Sequence, residues 1–281
     1  MPNPIQHLYK FSASHGGVLY AWFLSMHTRV DLMLCGSQGE EELMRVVDAV
    51  YELLHRLEKM ANFYDPDSEL GQLNLAAAVR PQPVSRELYE MLSFCVDCHT
   101  RTGGCFDVTV HSDGHTPDTI RDIRLSPQDH TLYFLRPGVR VNLSGFLKGY
   151  ALDRIRTLLQ DYGMADAVVN MGNSSVMAMG NRPSAVGWTV DFSRSIGSLP
   201  GGNSGVLLQN ECLTTSGNDS AERKHIIDPR SGQLLEGERE LAVVTAEGAV
   251  GEVLSTALFV ADARQRELIA AEFCPRLILD L

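Results

Sequence analysis

Basic runs are missing from this chain: 24 Lys and Arg face 35 Asp and Glu, and the formal net charge is -11 at pH 7. A nucleic-acid partner needs a local cluster of cations, so this imbalance excludes DNA and RNA as partners. Long apolar runs are missing too. A spanning helix takes about 20 consecutive apolar residues, and with far shorter stretches here no membrane span is expected. The opening Met1-Pro2-Asn3-Pro4 lacks a basic region followed by an apolar one, which argues against a secretory leader. No cysteine near the start suits lipid attachment, so the expected location is cytoplasmic. The six cysteines are scattered and lack the spacing of a disulfide framework. Cys95 and Cys98 form a C-x-x-C with His99 beside them and Cys105 nearby, which permits a zinc reading. However, Leu88, Leu92, Cys95 and His99 recur at helical spacing, so buried apolar thiols on a helix are the alternative.

With 44% hydrophobic residues and 21% charged, the chain can bury a substantial core. Thr28 to Leu34 alternates as a half-buried strand does. Leu43, Val46, Val47, Val50, Leu53, Leu54, Leu57 and Met60 then fall on one helical face, behind an acidic start at Glu40-Glu41-Glu42 that suits the positive helix end. Asn62 to Glu69 reads as a loop in which Ser68 caps a short turn, and a second helix is expected from Arg86 to Thr100, stopped by Gly103-Gly104. His111 to Asp122 reads as a polar loop. Thr131 to Phe134 and Val139 to Leu143 are expected to pair around Arg136-Pro137-Gly138. From Ala167 the rhythm turns to strands separated by glycine-rich turns, followed by helices over Ala249 to Ala261 and Arg264 to Phe273 and a last strand. Helices and strands segregate, which predicts an α+β fold with largely antiparallel sheet.

The run Asn142-Leu143-Ser144-Gly145-Phe146-Leu147-Lys148-Gly149-Tyr150 joins a strand-like end to a polar turn that opens a helix. Unpaired N–H groups and the helix dipole favour an anion at such a junction, and Lys148 adds a full charge. Ordinary turn chemistry would also use Gly and Lys there. Downstream stand Val168-Val169-Asn170-Met171-Gly172-Asn173, Leu213-Thr214-Thr215-Ser216-Gly217, His225-Ile226-Ile227-Asp228-Pro229 and Glu252-Val253-Leu254-Ser255-Thr256. Upstream stand Met26-His27-Thr28, Tyr64-Asp65-Pro66-Asp67-Ser68 and Gly104-Cys105-Phe106-Asp107-Val108-Thr109. In this order the set resembles the ApbE-type FAD:protein FMN transferases, from about Met26 to Ala261.

The resemblance implies one ApbE-like domain over residues 1–281, of T-fold-like α+β architecture with antiparallel sheets and packed helices. It implies an enzyme that takes FAD as substrate, attaches FMN to a Ser or Thr of an acceptor flavoprotein, releases AMP and uses Mg²⁺. His225 and Asp228 match the family's catalytic H-x-x-D-P residues; the plainer reading is a strand-end His followed by a turn starting at Asp228. Met26, Tyr64, Phe106, Asp107, Ser144, Lys148, Tyr150, Thr215 and Ser216 fall where relatives contact FAD, and the pyrophosphate is expected between Ser144–Tyr150 and the polar turn Thr215–Gly217. The metal ligands would be Glu252, Thr256 and the main-chain carbonyl of Leu147. Glu252 and Thr256 stand one turn apart on a helix, so they share a face; the alternative makes Glu252 a solvated, surface-facing acid. Several positions depart from the family: His27 and Ser144 replace Gly, Asn142 replaces Asp, Asn173-Ser174 replaces Gly-Asp, Leu147 replaces Ala and Glu252 replaces Asp. These departures leave a second reading, a flavin-binding protein on the same fold without transferase activity.

Overall fold

The computed structural model describes residues 4–13, 16–191, 205–218, 226–236 and 239–281. Three strands open the chain: β1 (Gln6–Ser12), β2 (Gly16–Ser25) and β3 (Thr28–Gly36). Two helices follow, α1 (Glu40–Ala61) and α2 (Glu69–Ala76), then the short β4 (Gln82–Pro83) and α3 (Arg86–Arg101). After β5 (Ile123–Ser126) and β6 (Thr131–Phe134) comes α4 (Leu147–Asp161), then β7 (Asp166–Met171), β8 (Ser175–Met179), β9 (Trp188–Asp191) and β10 (Gly205–Leu208). The chain closes with β11 (Glu211–Asn218), the short β12 (Ile227–Asp228) and β13 (Gln233–Leu234), β14 (Arg239–Thr245), α5 (Gly248–Val260), α6 (Ala263–Phe273) and β15 (Leu277–Asp280).

Eight strands form one sheet in the order β1-β2-β3-β7-β8-β11-β14-β15. Every neighbouring pair is antiparallel, which bears out the α+β expectation. In β2, Leu19, Ala21 and Phe23 are buried between less buried neighbours, the alternation of a sheet with one covered face. That covered face meets α1, α4 and α5 in the main core. On the other face a smaller apolar cluster of Val176, Ala178, Leu213, Ala242 and Val244 lies under Trp188, Val206 and Leu208 of the β9–β10 pair. No described helix is long and apolar enough to cross a membrane.

Most expected elements stand where periodicity put them; the short β4, β5 and β13 are additions, and three further differences matter more. β1 and β2 went unassigned; β1 lacks a clean alternation because, as the sheet's edge, it leaves Leu8 and Phe11 exposed. Val139 to Leu143 does not pair with β6, whose partners are β4 and β5. Instead Asn74 grips that extended segment, its Nδ2 donating to the Val141 carbonyl and its Oδ1 accepting from the Val141 N–H. Thr214 to Gly217, expected as a polar turn, is the interior of β11, paired to β8 on one side and β14 on the other. Its hydroxyls suggested a loop, but two flanking strands satisfy its backbone and β-branched Thr packs well on a pleat. Ser68 does cap α2, accepting from the Gly71 N–H at 2.9 Å.

Cys95 and Cys98 lie on the buried face of α3, and burial pushes the Cys98 thiol up to about 12. Among the described residues no group of three or more His, Cys, Asp and Glu could hold a metal ion. Both thiols are buried in the main core.

Candidate active site

A cleft of about 1370 Å³ opens between the start of α4, the ends of β7 and β8, β11, and α5. It gathers Tyr64, Phe106, Asp107, Ser144, Lys148, Thr215, Ser216, Glu252 and Thr256 from segments far apart in the chain. A smaller cavity of about 280 Å³ shares Tyr64, Ser144 and Lys148 with it and adds Met26, His27, Glu58 and Leu147.

Glu252 is the decisive residue in this arrangement. It is only 4% exposed, not a solvated first-turn acid, because α5 packs against both β11 and α4. An unpaired carboxylate there would be costly, and partners are supplied. Ser175 Oγ donates to its Oε1 at 2.6 Å, the Gly149 N–H donates to it, and the Lys148 charge faces it. Burial pushes the Glu252 carboxyl above its ordinary value, against the opposing pull of Lys148, Ser175 and Gly149. Lys148 itself donates to Ser174 Oγ, and the hydroxyls of Ser174 and Ser175 are 3.4 Å apart, so cation and carboxylate are joined through two successive serines. Ser174 was named from the sequence only as part of the departed Asn173-Ser174 pair, and Ser175 was not singled out at all.

The helices carrying these groups touch at glycine. A Cβ on Gly149 would lie 2.1 Å from the Gly248 carbonyl oxygen and 2.6 Å from Glu252 Cγ, so only Gly permits this approach. On the same face of α5 as Glu252, Thr256 Oγ1 lies 3.3 Å from Ser216 Oγ, which also meets Ser255 Oγ at 2.7 Å. Strand alternation sends Thr215 the other way from Ser216, and its hydroxyl is buried with no partner.

The remaining expected residues distribute unevenly. Asp107 accepts from the Thr109 N–H and hydroxyl, each at 2.6 Å, while its buried Oδ2 makes no hydrogen bond and lies 3.7 Å from His99 Nδ1. Phe106 borders the cleft but its ring is in the core; Tyr64 is 70% exposed at the mouth of both cavities. Met26 and His27 both take positive φ, 50° and 57°, in the β2–β3 turn, a conformation that Gly adopts without cost. The Met26 N–H donates to Glu58, a cavity-lining acid that sequence reasoning missed. Leu147 is buried at the first turn of α4 and lines the smaller cavity but not the cleft. Tyr150 lines neither; its hydroxyl turns away to donate to Glu87 at 3.1 Å, and burial raises its pKa.

Asp228 is not a lining residue, although Ile227 and Pro229 beside it are. Its carboxylate accepts from the Arg230 N–H at 2.9 Å and from the guanidinium at 3.0 and 2.9 Å. Burial would raise its pKa, but the Arg230 hydrogen bonds and charge hold it below the ordinary carboxylate value. His225 lies outside the described residues. His111 also borders the cleft, 3.4 Å from Asn142, and went unnoticed because it sits in a stretch read as plain loop.

The family model described as the ApbE family matches residues 26–277. The chain is 25% identical to the FAD:protein FMN transferase of Klebsiella pneumoniae (strain 342) over 260 residues, covering 80% of each chain. It is 29% identical over 245 residues to that of Rhodobacter capsulatus, covering 75% of this chain and 46% of the other. Its fold is similar to the flavin transferase ApbE from Vibrio cholerae, with a TM-score of 0.77 at 19% identity over 99% of this chain and 94% of that one. The apo flavinyl transferase ApbE of Pseudomonas stutzeri aligns with a TM-score of 0.79 at 18% identity, over 96% and 94% of the two chains.

Proposed function

Since this chain belongs to the ApbE family, we propose that it transfers FMN from FAD to a Ser or Thr hydroxyl of an acceptor flavoprotein and releases AMP. The observation that carries this reading is the cleft itself. An acidic chain has gathered a lysine, several hydroxyls and a buried carboxylate in one space large enough for an extended dinucleotide.

In this reading the Lys148 ammonium holds the pyrophosphate, with Ser144, Thr215 and Ser216 beside it. Tyr64 at the mouth offers a ring on which a flavin or adenine stacks, and Asp107 Oδ2, which makes no hydrogen bond and has His99 beside it, accepts a hydrogen from the ligand. The acceptor hydroxyl oxygen bonds to the FMN phosphorus, the phosphoanhydride P–O bond breaks, and AMP leaves with the bridging oxygen. The hydroxyl proton passes to a base. Asp228 is already committed to Arg230, which makes His225 the better base and Asp228 the group that shapes the turn after it.

A divalent ion suits the donor set by chemistry: Glu252, Thr256 and the Leu147 carbonyl offer only hard oxygen, which Mg²⁺ prefers. One carboxylate leaves room for phosphate oxygens. When bound, such an ion draws negative charge off the bridging oxygen of the pyrophosphate.

The test is to mix the purified chain with FAD, Mg²⁺ and a candidate acceptor protein. AMP release together with a mass gain of FMN on the acceptor is expected. Saturable FAD binding without AMP release for any acceptor would support flavin binding without transfer.

A further inference from the structure

Helix α5 carries Glu252 and Thr256 but has no cap of its own: Glu247 at its N-cap makes no side-chain cap bond, and its first turn holds no acid. The cap comes from another helix. Asp153, on α4, accepts from the Gly248 N–H at 2.7 Å and from the Ala249 N–H at 2.8 Å. One turn along, Arg156 donates to the Ala246 carbonyl at 2.6 Å and to Cys212 Sγ of β11 at 3.1 Å. Two side chains of α4 thus hold the β14–α5 junction by its donors and its acceptor, while Gly149 and Gly248 let the helices touch.

From this geometry we infer that Asp153 is a positioning residue: it sets the register of α5 against α4, and so the placement of Glu252 and Thr256 relative to Leu147 and Lys148. Asp153 touches neither cavity. Its carboxylate acts through backbone, where a cap anchored on a second helix restrains both ends of the site at once. The inference rests on the proposed divalent-ion role of α5 and extends it to a residue that contacts no ligand.

The experiment measures Mn²⁺ binding to the full chain at saturating FAD, from the electron paramagnetic resonance signal of the free ion, with FAD alone as blank. Asp153→Ala should weaken Mn²⁺ binding about tenfold or more, the effect usual for a group that orients metal ligands, while FAD binding followed by flavin fluorescence stays within about twofold. Asp153→Asn, which keeps one acceptor oxygen, should fall between the two and carries the test if the Ala variant does not fold. Ser85→Ala removes the cap bond to the Leu88 N–H at the start of α3; it should lower the melting temperature without changing Mn²⁺ affinity. Wild-type Mn²⁺ affinity in both Asp153 variants, or equal weakening in Ser85→Ala, would overturn the positioning role and leave the proposed function standing. A wild-type chain that binds FAD but no Mn²⁺ would overturn both.

Discussion

Helices α1 and α5 solve the same problem, covering one face of the same sheet, in opposite ways. The 22 residues of α1 place Leu43, Val46, Val47, Val50, Leu54 and Leu57 in one buried stripe, with Glu40, Glu41 and Glu42 in the first turn and Lys59 in the last. In α5, eleven of 13 residues are buried and neither end carries a complementary charge. Helix α1 is stabilised by terms that its own sequence displays: an apolar face, a solvated face and charges that complement its dipole. Helix α5 is apolar nearly all round and depends on its neighbours for its polar terms, drawing its cap from Asp153 and its carboxylate partners from Ser175, Gly149 and Lys148. A helix enclosed on every side can present a carboxylate to a cleft with its orientation fixed; a helix on the surface cannot.

The largest expected effect separates the acids of the two helices. Glu252→Gln should lower metal-dependent FMN transfer about a thousandfold, the several kcal/mol that an ion contributes to charge stabilisation. It also leaves an amide N–H group opposite the donors of Ser175 and Gly149, at about 1–3 kcal/mol of stability. Glu41→Gln on α1 breaks only an exposed i,i+4 pair with Arg45 and should change stability by less than about 0.5 kcal/mol and transfer not at all. Equal behaviour of the two variants in an AMP-release assay and a urea melt would erase the distinction.

Next comes the contact between helices. Gly149→Ala puts a methyl group against the Gly248 carbonyl and Glu252, and overpacking of that kind should cost about 1–3 kcal/mol in a denaturant titration. Wild-type stability would mean that α4 and α5 stand further apart than described.

The smallest effect concerns a carboxylate of intermediate burial. Because the folded pKa of Asp228 lies below its ordinary 3.8, its contribution is present above that pH and is lost as pH falls through the depressed folded value. Asp228→Asn should therefore be less stable than wild type by about 1 kcal/mol near neutrality, and the gap should close in acid. A gap unchanged down to acid pH would show that the Arg230 pair contributes nothing through charge.

Local periodicity made α1, α3, β3 and β7 legible, because a stripe or an alternation is written within a dozen residues and survives wherever the segment packs. The order of short motifs likewise pointed to the cleft residues Lys148, Thr215, Ser216, Glu252 and Thr256 without any coordinates. Other features had no local signature. Thr214 to Gly217 became a strand because β8 and β14 flank it, and polar composition cannot report neighbours brought in from dozens of residues away. Tyr150 shares a helix turn with Lys148 yet points at Glu87, since position along a helix decides direction only once the helix is docked. Glu252 reads as a surface acid in isolation; whether it meets water or is buried against Ser175 depends on the packing of α4, α5 and the sheet. Carboxylate chemistry belongs to the residue, but burial, which sets its charge state and its partners, belongs to the assembled fold.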